Sequence, residues 1–190
     1  MITGILLAAG SGSRFGGDKL LHPLPDGTPI GIASVRNLKN ALPDVIAVVR
    51  SRDDRLGDLF EKEGVAVHLC DDAHRGMARS FVCGINASHD ADGWVIALGD
   101  MPFLLPQTIK AIAERITRSG RMAMPAYRGK RGHPVAFARP YLDELLNLKG
   151  DEGARSIIER HRRDLEIVDC DDPGILRDID TASDLDKPAG

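Results

Sequence analysis

Short, unbroken apolar runs restrict this chain more than any other feature. GILLA at residues 4–8, VIAVV at 45–49 and WVIAL at 94–98 show no alternation of polar and apolar residues. A strand with one face in water alternates, whereas a strand covered on both faces reads as a continuous apolar run. Covering both faces takes helices on both sides of a sheet, and amphipathic segments of helical length lie between the runs. Strands are expected at Gly4 to Ala8, Val45 to Val49, Val65 to Leu69, Trp94 to Leu98, Arg121 to Pro125, Val135 to Phe137 and Leu165 to Val168. Helices are expected near Ile32 to Ala41, Asp53 to Glu63, Met77 to Ser88, Gln107 to Ser119, Pro140 to Leu146 and Gly153 to His161. The fold class is therefore α/β: a single-domain, Rossmann-like, three-layer α/β/α arrangement with a mainly parallel, mixed sheet. No linker, repeat or low-complexity stretch breaks the pattern, so residues 1–186 form one domain and 187–190 a short tail.

Composition narrows the function classes. With 190 residues, 43% hydrophobic and 28% charged, the chain is long enough to bury one full core and reads as neither disordered nor membrane-spanning. The net charge of -3 lacks the basic excess of a nucleic-acid binder, so any anion must be held by a local site. Cys70, Cys83 and Cys170 are odd in number and show no CxxC, which argues against both a disulfide framework and a zinc site. They read as small buried thiols in a reducing cytoplasm. The apolar start is too short for a secretory h-region and has no cationic flank. His22, His68, His74, His89 and His161 show no metal-ligand spacing.

In α/β sheets ligands gather beyond the carboxyl ends of strands, and the first run ends in AAGSGSRFGGDK, where four glycines fall within residues 10–17 beside Arg14 and Lys19. Glycines let backbone approach a phosphate closely, and consecutive N–H groups form an anion nest. Two known phosphate loops fail. A P-loop needs Gly-Lys-Ser/Thr, but here Asp18 precedes and Leu20 follows Lys19. The dinucleotide fingerprint GxGxxG begins at Gly10 and Gly12 but meets Phe15 where the third glycine belongs, and Arg50 rather than an acid follows the second strand. An NADP reader keeps a place because of that arginine, as does a plain glycine-rich turn.

Read whole, LAAGSGSRFGGDK resembles the LAAGxSxRxGxxK signature of nucleotidyltransferases, and in particular the molybdenum cofactor cytidylyltransferase branch of the molybdopterin nucleotidyltransferases. GMARS at 76–80, LGDMPF at 98–103, GHPVAF at 132–137, GDEGAR at 150–155 and RDIDTASDL at 177–185 extend the resemblance along the chain in the family's order. The resemblance implies transfer of CMP from CTP to the phosphate of a molybdopterin-type cofactor, with release of pyrophosphate. It allows a molybdoenzyme as receiver of the product. Residues Leu7, Ala8, Ala9, Gly10, Ser11 and Gly12 would then cradle the nucleotide, Arg14 the leaving pyrophosphate, and Lys19 the α-phosphate. Negative charge collects on the bridging and leaving oxygens in such a transfer, so cations and a nest are the groups it needs.

A hard Mg²⁺ ion prefers one or two carboxylates plus phosphate oxygens. Asp100 follows the run Val95 to Leu98 through one glycine, which puts its carboxylate at the same sheet edge as the loop; a plain turn residue is the bland alternative. In related sugar-activating transferases a second ligand is the first acid of a DTPEDL block, which falls here on Asp180. A helix cap at 181–184 is the other reading of Asp180. Resemblance further implies that Gly76, Met77, Ser80 and the acidic Asp71 and Asp72 contact base or ribose, although two solvated turn carboxylates would look the same. YRGKRGH at 127–133 offers an anion cradle with Lys130, Arg131 and His133 for the acceptor phosphate. Asp151 and Arg155 of GDEGAR join them by resemblance, yet capping alone explains Asp151. Guanylyl transfer, cytidylylation of a sugar or polyol phosphate, an NADP-dependent oxidoreductase and a non-catalytic delivery protein are the competing readings.

Overall fold

The structure, a computed structural model, describes residues 1–10, 15, 18–50, 55–150 and 153–185. The first strand, β1 (Ile2–Leu7), pairs in parallel with β2 (Asp44–Val49) on one side and with β4 (Gly93–Leu98) on the other. Beyond β2 lies β3 (Ala66–Leu69), also parallel. The other half of the sheet is mixed. β7 (Val135–Ala138) runs antiparallel to β4, and β5 (Met122–Tyr127) is antiparallel to β7. β8 (Leu165–Asp169) closes the far edge of β5 in parallel register, Met122 opposite Leu165.

Two apolar clusters line the two faces, as runs covered on both sides require. Successive β1 residues part company: Leu6 joins one cluster and Ile5 the other, because side chains alternate across a strand. The Leu6 face is covered by α1 (Ile30–Ala41), α2 (Arg55–Lys62) and α4 (Pro106–Ser119), through Val35, Leu38, Phe60, Ile109, Ile112 and Ile116. The Ile5 face is covered by α3 (Met77–Ala87), α5 (Leu142–Leu146) and α6 (Arg155–Arg160), through Phe81, Ile85, Leu145 and Ile157. Helix α4 shows why such a segment is helical. Pro106 sits at the first helical position, where a missing N–H costs nothing, the apolar stripe recurs at 109, 112, 113 and 116, and Gly120 at φ 65° closes the end.

Several boundaries shift from the sequence expectation for physical reasons. α1 begins at Ile30, two residues earlier than expected, even though Gly31 is a weak helix former. Its bare Cα admits Leu56 and Leu20, each of which a Cβ would meet at 3.0–3.3 Å. The expected loop at 127–133 contains a short strand, β6 (Lys130–Arg131), paired with Ala126 and Tyr127. Arg128 at φ 48° and Gly129 at φ 78° make the two-residue turn, the left-handed pair that suits a tight hairpin.

The cysteine reading needs correction. Cys70, just past β3, and Cys83, on α3, form a disulfide with Cα atoms 6.0 Å apart, and among the described residues only Cys170 is a free thiol. Sequence spacing could not reveal it, because the chain folds back from β3 into α3 before the two meet. No helix among the described residues is long and apolar enough to cross a membrane.

Candidate active site

The chain reverses its direction of travel at β1. From β1 it steps outward through α1 to β2 and β3, then α3 carries it back to β4 on the other flank of β1. The carboxyl ends of β1 and β4 are thus adjacent at the switch point, where an open α/β sheet leaves a crevice. Leu7, Ala8, Ala9 and Gly10 lead out of β1, with the Ala8 amide still bonded to Val48 at 2.9 Å. Ala8 and Ala9 are buried, whereas Gly10 is exposed with open space where a Cβ would stand. Ser11, Gly12 and Arg14 lie outside the described residues. Phe15, the residue that spoils the dinucleotide fingerprint, stands edge-on to His22 with ring centroids 5.1 Å apart.

Asp100 comes from the β4 side. The Gly99 amide extends the ladder by donating to Leu7 at 2.9 Å. A Cβ on Gly99 would lie 3.2 Å from the Leu7 carbonyl and 3.1 Å from Leu20, so only glycine lets the two strand ends stay this close. Helix α1 holds the loop from below. Ser34 donates to the Gly99 carbonyl at 2.8 Å or to Ile30 at 3.0 Å, and Asn37 donates to Pro102 at 2.8 Å. Asp100 is clamped between these two anchors. Sequence reading missed both. A signal existed for Ser34, which falls four residues after Ile30 and four before Leu38, a core position on the apolar stripe.

The Ile179 amide donates to the Asp100 carbonyl at 2.9 Å and so brings Asp180 alongside. Lys19, at the start of a 3-10 turn spanning Lys19–Leu21, joins them: its Nζ lies 2.8 Å from Asp100 Oδ2 and 3.3 Å from Asp180 Oδ1. The Lys19 side chain is only 13% exposed. Burial works against its charge, but hydrogen bonds and charge pairing with Asp100 and then Asp180 outweigh burial and hold the ammonium above the usual lysine range. The question of Asp180 as a cap has a clear geometric answer. Thr181 and Asp184 form the capping box of the turn at Ala182–Asp184, and the Asp184 carboxylate accepts from the Asp180 amide at 3.0 Å. The Asp180 side chain faces Lys19 instead.

His133 reaches the same place from the other half of the sheet. Its amide donates to Ile175 at 3.0 Å and its bond to Pro134 is cis. A Cβ on Gly132 would fall 2.1 Å from the Ile175 carbonyl, so this backbone crossing requires glycine. Burial pushes the His133 imidazole below its ordinary value, and Asp100 and Asp178 oppose that only in part. His133 is therefore neutral near neutral pH, with Nδ1 buried and unpartnered among the described residues. Lys130 and Arg131 are exposed neighbours on β6, where successive side chains face opposite ways.

The remaining expected residues fall nearer α3. Gly76 at φ 124° precedes the helix, Met77 is 50% exposed and Ser80 is buried. Asp71 is exposed, while Asp72 is engaged by Arg79 at 2.6 Å, which holds its carboxyl below the usual range. The Ala78 amide donates to Gly150 at 3.2 Å, so the GDEGAR stretch borders the start of α3. Within that stretch Asp151 lies outside the described residues, and Arg155 pairs with Glu159 at 2.8 Å on a solvent face.

A buried acid that the sequence reading passed over supports the whole edge. Asp172 is 1% exposed, accepts from Leu105 at 3.0 Å and Thr108 at 2.7 Å through one oxygen, and from Gly174 at 2.9 Å through the other. It caps α4 from a distance and fixes the segment that continues to Asp178 and Asp180.

Two carboxylates converging on one ammonium, with Asp100 Oδ1 buried and unpartnered among the described residues, form an oxygen-donor set suited to a hard divalent cation.

Residues 4–165 match the family described as "MobA-like NTP transferase domain". The chain is 31% identical to the purine catabolism protein PucB of Bacillus subtilis (strain 168), covering 97% of this chain and 94% of that one. It is 29% identical to nicotine blue oxidoreductase of Paenarthrobacter nicotinovorans at the same coverages, 97% and 94%. The molybdenum cofactor guanylyltransferase of Cupriavidus pinatubonensis (strain JMP 134 / LMG 1197) is 30% identical, again over 97% and 94%. The molybdenum cofactor cytidylyltransferase of Escherichia coli (strain K12) is 25% identical over 95% of this chain and 92% of its own. Among solved structures, a nucleotidyl transferase from Methanothermobacter thermautotroptrophicus superposes with a TM-score of 0.82 at 26% identity, over 97% and 94% of the two chains. Rv0371C of Mycobacterium tuberculosis H37Rv in complex with manganese gives 0.72 at 26% identity, over 96% and 95%.

Proposed function

The chain belongs to the MobA-like NTP transferase family and is a nucleotidyltransferase, and from that premise we propose that it transfers CMP from CTP to the terminal phosphate of a molybdopterin-type molybdenum cofactor. The observation that carries this reading is the meeting of Lys19, Asp100 and Asp180 at the carboxyl ends of β1 and β4.

In the proposed reaction an oxygen of the acceptor phosphate forms a bond to the α-phosphorus of CTP. The bond from that phosphorus to the α,β-bridging oxygen breaks, and pyrophosphate leaves with the electron pair. The glycine-rich stretch from Gly10 through Gly12 holds the phosphates with backbone N–H groups, Arg14 binds the leaving pyrophosphate, and Lys19 orients the α-phosphate. Asp100 and Asp180 are the residues that would hold Mg²⁺, whose charge offsets what develops on the phosphate oxygens when it is bound. No general base is required, since a phosphate monoester is mostly dianionic near neutral pH, its second ionisation falling at about 6. Neutral His133 accordingly serves as a hydrogen-bonding wall on the acceptor side rather than as a base. Asp71, Gly76, Met77 and Ser80 face the nucleoside in this reading. Lys130, Arg131 and His133 serve the acceptor in this reading, with Asp151 and Arg155 joining them. The product is suited to onward delivery to a molybdoenzyme.

Guanylyl transfer to the same cofactor is the second reading, favoured by a relative of that name at 30% identity over nearly the full chain. Ala8-Ala9-Gly10 supports the cytidylyl choice, because the loop of the guanylyl branch commonly reads LAGG, with glycine where Ala9 stands. A nicotinamide-dependent reaction has less support, because Phe15 stands where the fingerprint's third glycine is needed.

The test is pyrophosphate release from each of the four nucleoside triphosphates, with Mg²⁺ and molybdenum-loaded molybdopterin. The proposal expects CTP to be used much faster than GTP. Faster turnover of GTP would replace cytidylyl by guanylyl transfer.

A further inference from the structure

Lys19 stands between the two carboxylates that would hold the metal ion. Its ammonium contacts Asp100 Oδ2 at 2.8 Å and Asp180 Oδ1 at 3.3 Å, the arrangement of a cation shared by two acids. The lysine that the transfer reaction needs at the α-phosphate is thus committed elsewhere before the nucleotide arrives. We propose that Lys19 is a resident counter-ion that keeps the divalent-metal site closed until a nucleoside triphosphate draws its ammonium away, so that metal and nucleotide load together. This inference rests on the nucleotidyl-transfer reading above.

Charge balance carries it. Asp100 and Asp180 bring two negative charges to a place where the Asp100 side chain is 22%, that of Asp180 43% and that of Lys19 13% exposed, so the Asp100 side is the poorly screened one. Leaving two carboxylates together without a cation is unfavourable where water screens them poorly. An ammonium carries half the charge of a divalent ion, and the two compete for the same pair of carboxylates. Metal arriving alone must displace Lys19 from its two carboxylate partners. A triphosphate supplies another anion for the ammonium. Lys19 has the means to move: it stands at the start of a 3-10 turn, on a long flexible side chain whose charge acts as a mobile point. Coupling of this kind is reciprocal, so nucleotide must tighten metal binding by the same factor that metal tightens nucleotide binding.

The experiment measures Mn²⁺ binding to the nucleotide-free protein by electron paramagnetic resonance. Wild type is compared with Lys19→Met and Lys19→Gln, with thermal melts to show that each variant is folded. Without nucleotide, the variants should bind Mn²⁺ on the order of tenfold or more tightly than wild type, because the competing charge is gone. A CTP analogue with an uncleavable α,β-bridge should tighten Mn²⁺ binding strongly in wild type and far less in the variants. Adding Asp100→Asn to Lys19→Met should abolish the gain. Equal Mn²⁺ affinity in wild type and both folded Lys19 variants overturns the inference, while sensitivity to Asp100→Asn alone leaves the metal assignment standing. Mn²⁺ binding that ignores Asp100 overturns both.

Discussion

Asn37 of α1 donates its side-chain amide to the Pro102 carbonyl at 2.8 Å, two residues beyond Asp100. With the Ser34 contact at Gly99, it anchors the loop that carries the Asp100 carboxylate to α1. Asn37→Ala should lower kcat about tenfold, because small misplacements of a reacting constellation are costly, while the KM for CTP stays nearly constant. One lost hydrogen bond of about 1 kcal/mol should lower Tm by only about 2–4 °C in a chain of this size. A kcat equal to wild type would show that Pro102 needs no such anchor.

Asp172 is a buried acid whose two oxygens are engaged by Leu105, Thr108 and Gly174. Asp172→Asn puts an amide donor against donors on one side or the other, whichever way the side chain turns. Loss of at least one charge-assisted bond, with a donor left unsatisfied, should cost about 2–3 kcal/mol and lower Tm by about 5–10 °C. Calorimetry checks the value, and a shift under about 2 °C would contradict the role of Asp172 in joining α4 to the 172–174 turn.

His133 gives the site a pH signature in stability. Its folded-state value lies below its ordinary 6.5, so the unfolded chain takes up the proton first as pH falls. Stability therefore drops as pH is lowered through the ordinary histidine range, and levels off only below the folded-state value. Denaturant melts between pH 8 and 5 should show a shallower decline for His133→Asn than for wild type. Parallel curves would mean that His133 titrates as freely in the folded protein as in the unfolded chain.

Thiol titration tests the cysteine arrangement. The denatured, unreduced protein should show one reactive thiol, Cys170, and three after reduction, as the Cys70–Cys83 bond requires. In the folded protein Cys170 should react slowly with alkylating agents, because burial pushes its thiol up. Three thiols before reduction would remove the bridge.

How much of this was legible in the sequence depended on range. Strands β1, β2 and β4 were readable because burial on both faces leaves unbroken apolar runs. The hairpin strand at Lys130–Arg131 was not, since two exposed cations carry no strand signature. Asp100 could be placed from the strand before it, through one glycine. The cap at Thr181 and Asp184 also had a local signal, the spacing of a capping box, which freed Asp180 for another use. Lys19 is different. Its partners lie 81 and 161 residues away, and nothing near it in the chain says that it is already paired. Asp172, which holds the same edge in place, carried no motif to mark it.

Transfer of label from the α-phosphate of CTP most directly tests the central claim. With Mg²⁺ and molybdenum-loaded molybdopterin, wild type should move label from [α-³²P]CTP into the cofactor and release one pyrophosphate for each label transferred. Asp100→Ala and Lys19→Ala should each slow this by about a hundredfold or more, as expected for removal of an electrostatic stabiliser. Absence of labelled cofactor, with NADPH oxidised by the same preparation, would contradict the account.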